Sequence, residues 1–128
     1  MDILYSTDNS RYEIQENNVI YHTVDGEKEK IKVAKEVMIS LFPDINEIDR
    51  KARICAADEL LETKNSSWLE EWEEPVTAKA FMNRLQLVEA EFDIDGITFW
   101  YEDDDMFWGH SIMVVCDKNG IAKFSEMM

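Results

Sequence analysis

Residues 87 to 101 restrict the fold more than any other part of the chain. Val88, Ala90, Phe92 and Ile94 alternate with Glu89, Glu91 and Asp93, and a period of two marks a half-buried strand. Asp95-Gly96 follows, the favoured pair for a type I′ hairpin turn. Ile97, Phe99 and Tyr101 then alternate on the returning strand. This pattern predicts an antiparallel sheet with one face on a core. Residues 102 to 105 make the next turn, 111 to 116 a third strand, and Asn119-Gly120 leads into a fourth at 121 to 124.

Upstream of Leu87 the period is helical. From about Lys30, Ile31, Ala34, Met38 and Leu41 recur at steps of three and four with Val37 beside them, one face of an amphipathic helix. Pro43 ends it, since proline has no amide proton and restricts Phe42 before it. A second helix starts at once, with Asp44 as N-cap and Glu47 placed for a capping box. Its stripe runs through Ile45, Ile48, Ala52, Cys55, Ala56 and Leu60 to about Thr63, where Asn65-Ser66-Ser67 stops it. Asp49 and Arg53 pair on its flank. Thr77 is placed to cap a short third helix through Phe81 to Leu85. The first 25 residues read as short strands, Tyr12-Glu13-Ile14 and Val19-Ile20-Tyr21, around Glu16-Asn17-Asn18. The expected fold is α+β: a helical pair near residues 30 to 64 packed on a C-terminal antiparallel sheet, with short N-terminal strands. A chain of 128 residues suits one domain, 1–128, with one core.

Charge narrows the function classes. Twenty-eight acidic residues face 13 basic ones, a net −15. Such a surface repels nucleic acid and anionic membranes and attracts cations or a basic protein. A soluble acidic protein without any basic partner satisfies the composition equally. No apolar run reaches the ~18 residues of a membrane helix. The N-terminal Met-Asp-Ile-Leu-Tyr has neither a basic region nor a long apolar one, so no signal peptide is expected. Cys55 and Cys116 have no CxxC spacing and sit among apolar residues, which predicts buried free thiols, no zinc site and a reducing, cytoplasmic location.

Unusual residue types cluster at Phe107-Trp108-Gly109-His110-Ser111, after the acidic run Glu102-Asp103-Asp104-Asp105. His110 could act as a base oriented by one of these aspartates, or join them around a metal. Neither spacing is a ligand motif, and a structural histidine bonded to backbone or carboxylate is the preferred reading. Ser111 beside it faces the other way on a strand, and the Gly-x-Ser-x-Gly elbow is missing. The acidic run lacks the alternating oxygens and glycine of an EF-hand loop, so a solvated turn is expected. No catalytic residue, metal or cofactor is assigned. Trp68 and Trp72, four apart, would share one side of a helical turn and plug the core. Exposure as a binding patch is the alternative.

Residues 101 to 114, Tyr-Glu-Asp-Asp-Asp-Met-Phe-Trp-Gly-His-Ser-Ile-Met-Val, resemble the signature of a bacterial family, domain of unknown function 2262. Residues 52 to 57, 64 to 69 and 77 to 81 resemble its weaker blocks. The resemblance spans roughly residues 45 to 124 and leaves the N-terminal 40 outside. It implies a bacterial source and an α+β domain, and brings no catalytic residues.

Carboxylates and aromatics stand together twice, at residues 70 to 74 and 100 to 108. Aromatic anchors inside a charged rim are how protein interfaces build hot spots, and the carboxylates would steer a basic partner. The functional expectation is an immunity-type inhibitor of a basic toxin, such as a nuclease, that uses Glu71, Trp72, Glu73, Asp103, Asp104, Asp105, Trp108 and His110. The alternatives are a non-catalytic ligand-binding or structural module, and an enzyme centred on His110. Oligomeric state is left open.

Overall fold

The computed structural model describes residues 3–128. Met1 and Asp2, part of the stretch in which no signal peptide is expected, lie outside them.

Among the described residues, seven strands form one sheet in chain order. Strands β1 (Leu4–Ser6), β2 (Arg11–Glu16) and β3 (Val19–Thr23) make an antiparallel meander. Strands β4 (Gln86–Asp93), β5 (Gly96–Glu102), β6 (Ser111–Asp117) and β7 (Ala122–Met127) make a second. The two meanders meet where β3 pairs with β4 in parallel. A parallel pair needs a long crossover, and helices α1 (Lys28–Leu41), α2 (Ile45–Ser67) and α3 (Ala78–Arg84) provide it. The N-terminal strands thus extend the C-terminal sheet. Local periodicity does not show this, because the β3–β4 register joins residues nearly seventy positions apart.

The sheet has two unlike faces. Ile14, Tyr21, Ala90, Phe99 and Val114 stand opposite one another across five strands, and all are buried. Helix α1 lies against β3 and β4, and α2 against β6 and β7. The neighbouring row, Gln15, Ile20, Glu89, Trp100 and Met113, is half-buried or exposed. Helix α1 buries Ile31, Ala34, Met38 and Leu41, the expected stripe. The stripe of α2 runs four residues beyond Leu60, so that Lys64 is buried and the helix ends at Ser67 rather than near Thr63.

Several turns depart from expectation. Pro43 sits in a 3-10 turn (Phe42–Asp44) that links α1 to α2. Asp44 makes no side-chain cap, and Glu47 pairs with Arg50 at 2.7 Å instead of closing a capping box. Thr77 does cap α3, accepting from the Ala80 amide at 3.1 Å. The hairpin turn is centred on Ile94-Asp95, with Gly96 as the first residue of β5. Gly96 has φ +148°, and a Cβ there would lie 2.1 Å from the Cys116 carbonyl oxygen. A β-bulge at Val88 shifts the phase of β4, so Leu87 rather than Val88 stands opposite buried Tyr101. Cys116 is buried, its thiol pushed up to about 12 by burial, whereas Cys55 is only half-buried; both are free.

Buried and half-buried polar groups lock the layers together. Tyr101 donates to Asp49 at 2.6 Å, and Arg53 reaches Asp49 and the Met82 carbonyl. These bonds join α2 to β5 and to α3. His22, 1% exposed, bonds to the Thr23 carbonyl through Nδ1 and to the Glu89 carboxylate through Nε2. It pins β3 to β4 where the two meanders meet.

Candidate functional site

The loop between β5 and β6, residues 103–110, is wound around one carboxylate. Asp103 is 3% exposed. One of its oxygens accepts from the Asp105 amide at 3.0 Å, and the other from the Phe107 and His110 amides at 2.8 and 3.1 Å. Asp104, Asp105 and Trp108 all have left-handed φ, +49°, +58° and +59°, which is uncommon for an aromatic residue. This winding buries Met106 and Phe107 and leaves Trp108 56% exposed. The solvated turn expected here fits Glu102, Asp104 and Asp105, which are exposed, and is corrected for Asp103, the buried centre of the loop, where three backbone amides replace its water.

The loop between α2 and α3, residues 68–77, is held by two side chains from the last turns of α2. Lys64, 1% exposed, donates to the Trp68 carbonyl at 2.7 Å and to Glu73 at 2.9 Å. Asn65 exchanges two hydrogen bonds with the Val76 backbone, at 2.9 and 2.8 Å. The Lys64 bond and the Glu70 amide hold the Glu73 carboxyl below the usual glutamate range. Because α2 stops at Ser67, Trp68 and Trp72 do not share a helical face. Trp68 is half-buried and packs on the core, whereas Trp72 is 81% exposed. The core-plugging expectation therefore fits Trp68 and is corrected for Trp72.

Trp68 joins the two loops. Its ring meets Phe107 at 5.7 Å, Trp108 at 4.7 Å and His110 at 5.4 Å, all edge-on, a favoured aromatic geometry. Arg84, at the end of α3, adds a polar link. It donates to the Asp104 carboxylate and carbonyl, each at 2.9 Å, and lies 4.0 Å from Glu73. The blocks at 64 to 69, 77 to 81 and 101 to 114, far apart in the chain, thus converge in space.

Beside this junction lies a cleft of about 520 Å³ whose lining includes Arg84, Glu102, Asp105, His110 and Ser111. His110 donates its Nδ1 proton to the Phe107 carbonyl, which leaves Nε2 as the nitrogen free to accept in a neutral ring. Among the described residues no hydrogen bond joins the His110 imidazole to Ser111 or to an aspartate side chain; it is the His110 backbone amide that reaches Asp103. Among them too, no three His, Cys, Asp or Glu side chains are arranged to hold a metal ion.

The eight residues singled out from sequence fall into two groups. Asp103 and Glu73 are engaged inside the molecule, and Asp104 is shared with Arg84. Glu71, Trp72, Asp105, Trp108 and His110 are exposed. Sequence reading missed Arg84 and Lys64. Lys64 carried a signal, since it continues the four-residue steps Ala52, Ala56, Leu60 into the buried stripe.

The fold and this junction define an α+β protein: among the described residues, a seven-stranded mixed sheet with its helices in one crossover, and two interlocked loops that present tryptophan and carboxylate. The chain belongs to the family described as an uncharacterized protein conserved in bacteria (DUF2262), whose model matches residues 5–127. The match takes in the N-terminal strands that the resemblance had left outside. No curated protein and no solved structure matches the chain. Among the described residues no helix is long and apolar enough to cross a membrane.

Proposed function

We propose that the chain binds a basic protein through the interlocked α2–α3 and β5–β6 loops, as an immunity-type inhibitor of a toxin, most simply a nuclease. The observation that carries this reading is the exposure of Trp72 at 81% and Trp108 at 56%. Both stand in loops whose backbone is held from beneath by Lys64, Asn65 and Asp103. Exposed tryptophan on a pre-ordered loop offers contact area at little ordering cost, which is the character of an interface anchor. Glu71, Glu74, Glu102 and Asp105 remain exposed to meet lysine or arginine and to steer a cationic partner. Asp103 and Glu73 act as supports beneath that surface and do not contact the partner.

The test is capture of partners from the source bacterium, followed by association kinetics on what is captured. The expected partner is a basic protein whose association slows as salt rises from about 10 mM to about 150 mM, where screening shortens to ~8 Å. Trp72→Ala should weaken binding by about 2 kcal/mol or more while leaving the thermal midpoint unchanged. A partner indifferent to Trp72→Ala, to Trp108→Ala and to reversal of Glu71 and Asp105 would sink the reading.

A further inference from the structure

A second cleft, about 660 Å³, lies elsewhere, between α1 and the β1–β2 edge of the sheet. None of its lining residues belongs to the two loops above. In a chain with a net charge of −15, its walls carry Lys28, Lys32 and Lys35, with Glu29 as the acidic residue among them. The three lysines follow one another at steps of four and three, which puts them on one side of α1. Among the described residues, none of the three has a carboxylate within 4.0 Å. The Lys35 ammonium instead lies 4.2 Å from the centre of the Tyr12 ring.

The opposite wall is aromatic. Tyr5 and Tyr12 are cross-strand partners on β1 and β2, with ring centres 5.0 Å apart. Tyr5 is 50% exposed. Three lysines gathered on one side of a helix repel one another, and a bound anion relieves that repulsion. Ammonium groups bind phosphate as point charges, and an exposed tyrosine ring gives a planar base a face to stack on. The volume falls within the range of about 300–1,000 Å³ typical of small-molecule sites. A nucleic-acid polymer is disfavoured by the charge of the whole surface, whereas a single nucleotide meets only the local field.

We propose that this cleft binds a nucleoside di- or triphosphate, with the phosphates on Lys28, Lys32 and Lys35 and the base against Tyr5 and Tyr12. Calorimetric titration of the full chain with ADP, adenosine and tripolyphosphate tests it. ADP is expected to bind one to one, at least about tenfold tighter than either half-ligand, since each interaction worth ~1.4 kcal/mol contributes a factor of ten. The exposed double variant Lys28→Gln/Lys32→Gln should weaken ADP binding by about tenfold or more with an unchanged thermal midpoint. Tyr5→Ala should weaken ADP binding and leave tripolyphosphate binding as it was. Lack of saturable ADP binding at about 1 mM, a range that captures affinities down to ~4 kcal/mol, would overturn the proposal. So would tripolyphosphate binding as tightly as ADP, or an ADP affinity untouched by the double lysine variant.

Discussion

Asp103 shows how one side chain sets a loop. Its two oxygens hold three amides, including that of buried Phe107. Asp103→Ala leaves those amides without an acceptor and should cost about 2–3 kcal/mol. Asp103→Asn keeps one acceptor oxygen and should cost about half as much. Urea unfolding of the three proteins checks the order, and an alanine variant as stable as the parent would show that water can replace the carboxylate. Glu73 makes a prediction about pH. Its folded pKa is lowered by the Lys64 hydrogen bond and the Glu70 amide, so its contribution is complete above the unfolded glutamate value of about 4.3. That contribution fades as the pH falls through the lower folded value. Glu73→Gln should therefore be less stable than the parent at neutral pH, and the gap should narrow as the pH falls below the unfolded glutamate value. A gap that stays constant with pH would assign the effect to packing. Trp72 and Asp103 also mark what sequence alone left hidden at this scale. The acidic run was legible, but which of its members turns inward depends on amides contributed four and seven residues later.

At the scale of elements, the hairpin between β4 and β5 depends on Gly96. A Cβ at this position meets the Cys116 carbonyl oxygen at 2.1 Å and the Asp117 backbone at 2.6 Å, on a φ of +148°. Gly96→Ala should cost about 3 kcal/mol or more, from strain plus displacement of β6. Gly26→Ala is the control, since φ there is +120° with nothing within 4 Å, and should cost about 1 kcal/mol. Thermal melts of the pair separate the two, and equal losses would mean that β6 yields freely. The helices and C-terminal strands were legible because each carries its own period. The turn between β4 and β5 was placed one residue late because Asp95-Gly96 is the favoured hairpin pair, while the close approach of β6 selects the glycine for a different reason.

For the whole molecule, the excess of 28 acidic over 13 basic residues means net self-repulsion in the compact state. Exposed pairs such as Arg50–Glu47 contribute little against it. The melting temperature should rise as salt goes from about 10 mM to about 150 mM, which shortens screening from ~30 Å to ~8 Å. A fall over that range would mean that the few ion pairs outweigh the net charge. The same screening should weaken any basic partner, so stability and binding are expected to move in opposite directions with salt.

Sequence alone determined the fold class, the strand–turn pattern after Leu87, the apolar faces of α1 and α2, the Thr77 cap and the acidic surface, because each depends on residues within a few positions of one another. Tertiary structure alone decided that β3 and β4 pair in parallel and merge two meanders into one sheet. It also decided that Lys64 and His22 are buried, that Trp68 goes inward while Trp72 goes out, and that three lysines of α1 line one cleft with two tyrosines. Those outcomes depend on which backbone groups, carboxylates and rings arrive from distant segments to replace water around a side chain, and local periodicity carries no record of them.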